Sequence, residues 1–488
     1  MCRGAALCEY LPMASYHLVV GLEIHAELKT QTKMFCSCKN DPDETRPNVN
    51  ICPVCMAHPG TLPVINKKAV AHVLRVGAAL GGTLADFTEF DRKNYFYPDI
   101  PKGYQISQYQ YPLVSGGALA GVAITRIHLE EDTASSQHDK GDYSLVDFNR
   151  AGVPLMELVT EPVIESAEQA GAFARELQLL LRYLGASDAN MEKGEMRVEA
   201  NISLAKKKGE KGTKVEVKNL NSFRSVERAI AYEAERHREL LKKGRRVVQE
   251  TRGWDENKQK TFSQRKKEES HDYRYFPDPD LPKLKLSALE EFTPEAVRAS
   301  LPELPWEAHA RLKERGLSEG VARVLVREPR LKEFFDAVTH GEKNTARLKL
   351  AANYLTSDVL GLVGEGVGTL EEVAARSPAE FRALMALVDE GLLSSRGAKE
   401  VLPRWLREGG DPQKIAEQLG VMQESDPAAL KDLVKEVLRA HPDVVADIKA
   451  GNEKAVAFLV GQGMKRSKGS ANPALLTQLL REALAQGE

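Results

Sequence analysis

From Tyr16 to about Leu286, short apolar runs such as His17-Leu18-Val19-Val20 and Val122-Ala123-Ile124-Thr125 are separated by loops rich in Gly, Pro, Asn and Asp, the pattern of strands punctuated by turns. Two stretches in this half repeat apolar residues at helical spacing instead. They are Lys67 to Leu80, and Ala167 to Leu184 with Phe173, Leu177, Leu180, Leu181 and Leu184 on one face. After Pro282 the composition turns to Leu, Ala, Glu, Arg and Lys, and Pro or Gly falls where helices would stop. The expected fold class is α+β: an N-terminal mixed-sheet domain over residues 1–290, then an all-α helical domain over 291–408 and a small helical tail domain over 409–488. The turn cluster Gly409-Gly410-Asp411-Pro412 suggests the last boundary. The chain shows no fixed-period repeat, so a solenoid is not expected.

A length of 488 residues fits several domains. The 42% hydrophobic and 28% charged content is that of a folded, water-soluble chain rather than a disordered one. A formal net charge of −2 means that any polyanion must be held by local patches. No apolar run approaches the roughly 18 residues of a membrane span. The N-terminus, with a lone Arg3 and an apolar stretch broken by Glu9 and Pro12, makes a poor signal peptide, so a cytoplasmic protein without membrane contact is expected. Met13 precedes the first strand, and residues 1–12 are expected to add little to the fold.

Four of the six cysteines form a block in which Cys36-Ser37-Cys38 and Cys52-Pro53-Val54-Cys55 are separated by 13 residues. Two close pairs can supply four soft ligands to a structural zinc, with no open position for catalysis. Four reduced cysteines in a loop are the plainer alternative. On a strand, Glu23, His25 and Glu27 of Val20-Gly21-Leu22-Glu23-Ile24-His25-Ala26-Glu27 share one face. A second acidic cluster, His128-Leu129-Glu130-Glu131-Asp132, follows another strand-like run. If the two converge they suit a hard cation such as magnesium; apart, they are exposed strand ends.

The segment Asp91 to Tyr104 packs four aromatics and three cations into fourteen residues, fit either for phosphate neutralisation with stacking or for a plain surface loop. Between Lys242 and Lys267 ten Lys or Arg face three acidic residues, and Met464-Lys465-Arg466-Ser467-Lys468-Gly469-Ser470 is a compact basic loop. Such patches are where RNA would dock, although solvated basic faces are commoner. No Gly-Lys dipeptide occurs, so there is no Walker A loop, and Gly364-Glu365-Gly366-Val367-Gly368 lacks dinucleotide-binding spacing. ATP use does not follow from these motifs.

Together, several segments resemble the GatB family, the B subunits of the aspartyl/glutamyl-tRNA amidotransferases. They are Val20 to Leu28, Asp91 to Asp99, Tyr104 to Gln108, Leu145-Val146-Asp147-Phe148-Asn149-Arg150-Ala151-Gly152-Val153-Pro154-Leu155-Met156-Glu157, Glu216 to Phe223, Asp272 to Pro277 and Phe458 to Gln462. The resemblance implies an ATP- and magnesium-dependent ligase acting on Glu-tRNA(Gln), Asp-tRNA(Asn) or both. Its partners would be an amidase, which supplies ammonia through a channel, and a small third protein of the heterotrimer. It implies a cradle domain distantly similar to glutamine synthetase and a tail domain that holds tRNA through Lys465, Arg466 and Lys468. Carried over residue by residue, Glu23, His25, Glu131 and Glu157 would bind magnesium, and Lys93, Lys102, Asn149 and Arg150 would serve the nucleotide, the lysines also the ammonia path. Glu199 would line the channel, standing where the family usually has Asp before Ala-Asn. The zinc cysteines belong to only part of the family, so zinc at Cys36, Cys38, Cys52 and Cys55 rests on their spacing. No Gly-Ser-Ser amidase signature is present, so the chain is not expected to hydrolyse glutamine itself. A zinc-stabilised tRNA-binding module without catalysis of its own is the alternative.

Overall fold

The alternation at the start of the chain is realised as a strand, His17–Glu27, in the middle of a sheet. Its even positions Leu22, Ile24 and Ala26 enter the core while Glu23, His25 and Glu27 line the opposite face. On one side it pairs antiparallel with Met196–Ala205, on the other with Pro154–Thr160, which in turn pairs with Val122–Glu131. Val215–Leu220, Glu250–Asp255 and Lys260–Lys266 extend one edge, with one parallel pairing, and short strands complete the ten-stranded mixed sheet at the other. These elements belong to a computed structural model described at residues 16–41, 43–137, 141–266, 272–423, 427–449, 452–467 and 470–486. Residues 1–15, whose first twelve were expected to matter little, lie outside the described residues.

Both helices expected from periodicity form, over Lys67–Ala79 and Ala167–Tyr183. Asn66 and Ser166 cap them by accepting hydrogen bonds from backbone amides of the first turn. Phe173, Leu177, Leu180, Leu181 and Leu184 are buried in the core, each contributing about 1.5–3 kcal/mol by leaving water. A third helix, Phe223–Lys242, packs on the second and against Met196–Ala205. A smaller sheet of Phe276–Pro277, Asp91–Asn94 and Tyr104–Ser107 carries the basic and aromatic segment.

The chain divides into two units, 1–305 and 306–488. The first runs past the expected limit of 290 because Phe292, Val297 and Leu304 join the same core and helix Pro294–Ala299 packs on Lys67–Ala79. The second unit is helical. Within it, the turn at Gly409 to Pro412 joins rather than divides: helix Pro412–Leu419 packs on Ser395–Glu408 and on Pro378–Asp389. A separate apolar cluster begins only at Leu430 and includes Val434, Val437, Leu459, Leu476 and Leu480.

Candidate active site

Cross-strand register decides which side chains meet. His25 lies opposite Glu157, Glu157 opposite His128, and Glu23 opposite Glu199, so side chains from four strands share the face away from the core. His25 Nε2 is 3.3 Å from Glu157 Oε2, 3.6 Å from Glu130 Oε1 and 3.9 Å from Glu23 Oε1. The same Glu157 oxygen is 3.5 Å from His128 Nε2, which is 3.8 Å from Glu130 Oε2. Ser107 Oγ donates to Glu130 at 3.0 Å, and Arg126 stands 3.8 Å from Glu157 at the rim.

The electrostatics are those of crowded acid. Burial raises Glu23 to about 7, with the neighbouring Glu157 charge adding to the effect. Burial opposes a charge on His25, yet its hydrogen bond to Glu157 and the charges of Glu157, Glu130 and Glu23 raise it to about 9. For Glu157, burial is outweighed by His128, His25 and Lys93, which hold its carboxyl below the usual range. Burial also works against the Lys93 ammonium, but Glu130, Tyr275 and Glu157 hold its pKa above the ordinary value. The Lys93 Nζ sits over the rings of Tyr273 at 5.1 Å and Tyr95 at 5.8 Å. Three carboxylates thus face two imidazoles and one ammonium, leaving ligand atoms of Glu23, His25 and Glu157, and of His128, Glu130 and Glu157, in groups compact enough to hold a metal ion.

Glu131 does not join this cluster. It points to the other face of its strand, where it accepts a hydrogen bond from Lys102 Nζ at 2.7 Å and one from the Ile106 amide at 2.9 Å. Its neighbour Glu130 occupies the position expected of it, because alternate residues of a strand face opposite ways. His128 and Glu130 belong to the run that the sequence offers as one half of a cation site, without a separate role for either, and Arg126 beside them carries no such signal in the sequence. Glu199 lies beside Glu23 and accepts from Lys218 Nζ at 2.8 Å. A further charged group lies along the same face: Arg197 donates twice to Asp132 at 3.0 Å and is 3.7 Å from Glu27, whose carboxyl is raised to about 8 by burial and then by Asp132.

Asn149 and Arg150, expected at the nucleotide, have their polar atoms engaged in holding loops. Asn149 accepts from the Asn50 amide at 2.8 Å and donates to the Arg46 carbonyl at 2.8 Å. Arg150 donates to the carbonyls of Thr133 and Ala134 at 2.9 and 3.0 Å. The cysteine block does close up: the four Sγ atoms of Cys36, Cys38, Cys52 and Cys55 all lie within 4.8 Å of one another. Cys55 is 3.9 Å from Cys52 and 4.0 Å from Cys38, close to the edge of about 3.8 Å that Zn–S bonds of about 2.3 Å give a tetrahedron. Burial lifts Cys38 to about 12, whereas Cys55, hydrogen-bonded by Cys36, falls to about 5. In the second unit Lys465 and Arg466 end helix Val456–Arg466, with Arg466 3.3 Å from Glu436. Lys468 lies outside the described residues.

Residues 18–290 match the family model described as the GatB/GatE catalytic domain, and residues 333–484 match that described as the GatB domain. The chain is 46% identical over 484 residues to the B subunit of the aspartyl/glutamyl-tRNA(Asn/Gln) amidotransferase of Thermomicrobium roseum, covering 96% of this chain and 99% of that one. It is also 46% identical over 476 residues to the protein of the same name from Thermus thermophilus, covering 97% of this chain and all of the relative. Among the described residues, no helix is long and apolar enough to cross a membrane.

Proposed function

The chain belongs to the GatB family, the B subunits of the aspartyl/glutamyl-tRNA(Asn/Gln) amidotransferases, and from that premise we propose that its carboxylate–imidazole face is where ATP activates the side-chain carboxylate of Glu-tRNA(Gln), Asp-tRNA(Asn) or both. A carboxylate resists ammonia because oxide is a very poor leaving group. Transfer of the γ-phosphoryl group makes an acyl phosphate, from which ammonia displaces phosphate to give the amide. The observation that carries the reading is the convergence of Glu23, His25, Glu130 and Glu157 from three strands, with Lys93 directed at them.

These residues fit magnesium: oxygen donors with imidazole, in a crowd of carboxylates that would otherwise repel a triphosphate. Glu23, His25, Glu157 and Glu130 would hold the ion, whose positive charge offsets that repulsion when it is bound. Lys93 adds a fixed cation toward the phosphates, and Arg126 at the rim is placed to meet a second anionic group. Position, rather than acid–base chemistry, is what phosphoryl transfer asks of such residues. The Lys102–Glu131 pair and Glu199, polar and away from the metal-like cluster or at its margin, suit the passage of ammonia arriving from a partner amidase. The four cysteines fit a structural zinc, which would fix the loop bearing them.

The test is reconstitution with the amidase and the small third protein of the complex, and measurement of amide formed on both mischarged tRNAs, with ATP turnover followed in parallel. Amide that appears only with ATP, and is lost in Glu157→Gln while tRNA still binds, is the expected result. tRNA binding by the assembled complex with no ATP turnover would leave a binding module and overturn the reading.

A further inference from the structure

Lys33 is an anomaly of the cysteine-bearing loop. It is 1% exposed, as buried as the core phenylalanines, yet it ends in an ammonium. Its Nζ donates to the Phe148 carbonyl at 3.1 Å and lies 3.9 Å from Cys55 Sγ. No carboxylate among the described residues is within ion-pair reach of it. A buried cation is retained only where something nearby is negative. Four neutral thiols would leave it uncompensated, whereas four thiolates on one divalent zinc carry a net charge of 2−.

We propose that Lys33 is the counter-charge of a zinc–tetrathiolate centre at Cys36, Cys38, Cys52 and Cys55, a positioning residue that steadies the Cys55 thiolate and joins the centre to the loop preceding Glu157. The proposal rests on the zinc reading of the four cysteines. The junction is close: the Met34 amide donates to the Gly152 carbonyl at 2.7 Å. Gly152, at φ +85°, leaves the space beside the Lys33 methylenes where a Cβ would sit 3.6 Å from Cδ. Farther along, Asn48 and Asn50 bond to Asp147, Phe148 and Asn149. This loop runs directly into strand Pro154–Thr160, which carries Glu157, so the centre and the candidate active site share one stretch of backbone. Groups around metal ligands that orient or neutralise them commonly change metal affinity when removed.

The experiment compares the full-length wild-type chain with Lys33→Met and with Lys33→Gln, which keeps a donor for the Phe148 carbonyl but no charge. Zinc retention against a chelator, the thiolate-to-metal absorption band of the cobalt-loaded chain, and melting temperature with and without zinc are measured. Both variants are expected to hold zinc about 10–100-fold more weakly and to move the cobalt band to lower energy. Lys33→Met is expected to melt below wild type when zinc is bound but not when it is stripped, because the charge is a burden without its counter-ion. Equal loss of melting temperature in both states, or wild-type zinc retention by Lys33→Gln, would show a packing or hydrogen-bonding role and overturn the proposal. A wild-type chain that takes up no zinc would instead overturn the reading of the cysteines.

Discussion

The first unit buries two clusters of carboxylates, and they are built on opposite terms. Around Glu233, which is fully buried, every charge is answered: Arg236 donates to it at 2.7 and 3.0 Å, Arg252 Nε is 3.2 Å away, His237 Nε2 is 3.2 Å away, and Thr261 Oγ1 also donates to it. Burial alone would raise its pKa, but hydrogen bonds from His237, Arg236 and Thr261 bring it down to about 2. Around Glu157 three carboxylates crowd one face with two imidazoles and Lys93, and Glu23 and His25 rise to about 7 and about 9. The Glu233 network, in which Glu233 itself is fully paired, ties helix Phe223–Lys242 to strands Glu250–Asp255 and Lys260–Lys266. The crowded one holds electrostatic tension that a cationic ligand relieves. Its raised Glu23 carboxyl, rather than burial of charge as such, separates a working site from a brace.

The sharpest way to break this contrast is to neutralise one carboxylate in each. Glu157→Gln is expected to cut amide formation by the reconstituted complex about a thousandfold or more, since several kcal/mol of charge stabilisation disappear. In the metal-free chain the raised Glu23 carboxyl is the burden, so Glu23→Gln, which should cut amide formation as well, is expected to leave the melting temperature unchanged or higher. Glu233→Gln is expected to do the reverse. It would remove the charge that Arg236, Arg252 and Thr261 share, although Arg252 keeps Glu250 at 2.6 Å, and cost about 1.5–3 kcal/mol of stability in denaturant unfolding, while kcat of the protein that remains folded stays near wild type. If Glu23→Gln and Glu233→Gln both lost activity and stability together, the distinction between the clusters would fall.

A divalent ion sharpens it further. Manganese or magnesium at a hundredfold excess over its dissociation constant is expected to stabilise wild type by about 2.7 kcal/mol, read as a rise in melting temperature. The gain should vanish in Glu157→Gln and persist in Glu233→Gln. Acid gives a smaller effect. A carboxyl whose folded pKa lies below its ordinary 4.5 lends stability above that value and loses it as pH falls toward about 2. Wild type should therefore lose stability between pH 4.5 and 2 more steeply than Glu233→Gln. The Glu233 contribution is absent from the variant at any pH, so parallel curves would count against the brace.

How much of this was legible beforehand differs between the two clusters. The strand His17–Glu27 declared its polar face by alternation, and the cysteine block its closure by spacing, because both signals are local. The Glu233 brace left no trace: its partners come from a helix and two later strands, and only tertiary packing brings Arg252 and Thr261 to it. The third strand of the site was legible in kind but not in phase. Val122 and Ile124 are buried, and counting by twos from them assigns odd residues, Glu131 among them, to the polar face. The pairing with Pro154–Thr160 slips by one between Val159 and Thr160, Val159 facing Arg126 and Thr160 facing Ile124. Beyond that irregularity Ile127 and Leu129 fill the core, and His128 and Glu130 turn outward. A single unpaired residue thus turns Glu130 rather than Glu131 toward the site, whereas Glu131 was expected there from the family resemblance and not from the pattern of this strand.

That exchange supplies the finest test. If the bulge sets the phase, Glu130→Gln removes an oxygen 3.6 Å from His25 Nε2 and should weaken divalent-ion binding by roughly tenfold, about 1.4 kcal/mol. Glu131→Gln removes instead the partner of Lys102, 2.7 Å away on the other face, and should leave ion affinity as it was. Amide formation from glutamine in the complex should still suffer in the second variant, because that face is proposed to pass ammonia. Supplying ammonium salts directly should then restore Glu131→Gln more fully than Glu130→Gln. Calorimetric titration of the two variants with manganese decides the question: weaker binding in Glu131→Gln and not in Glu130→Gln would return the ligand to Glu131, the position that the family resemblance implies.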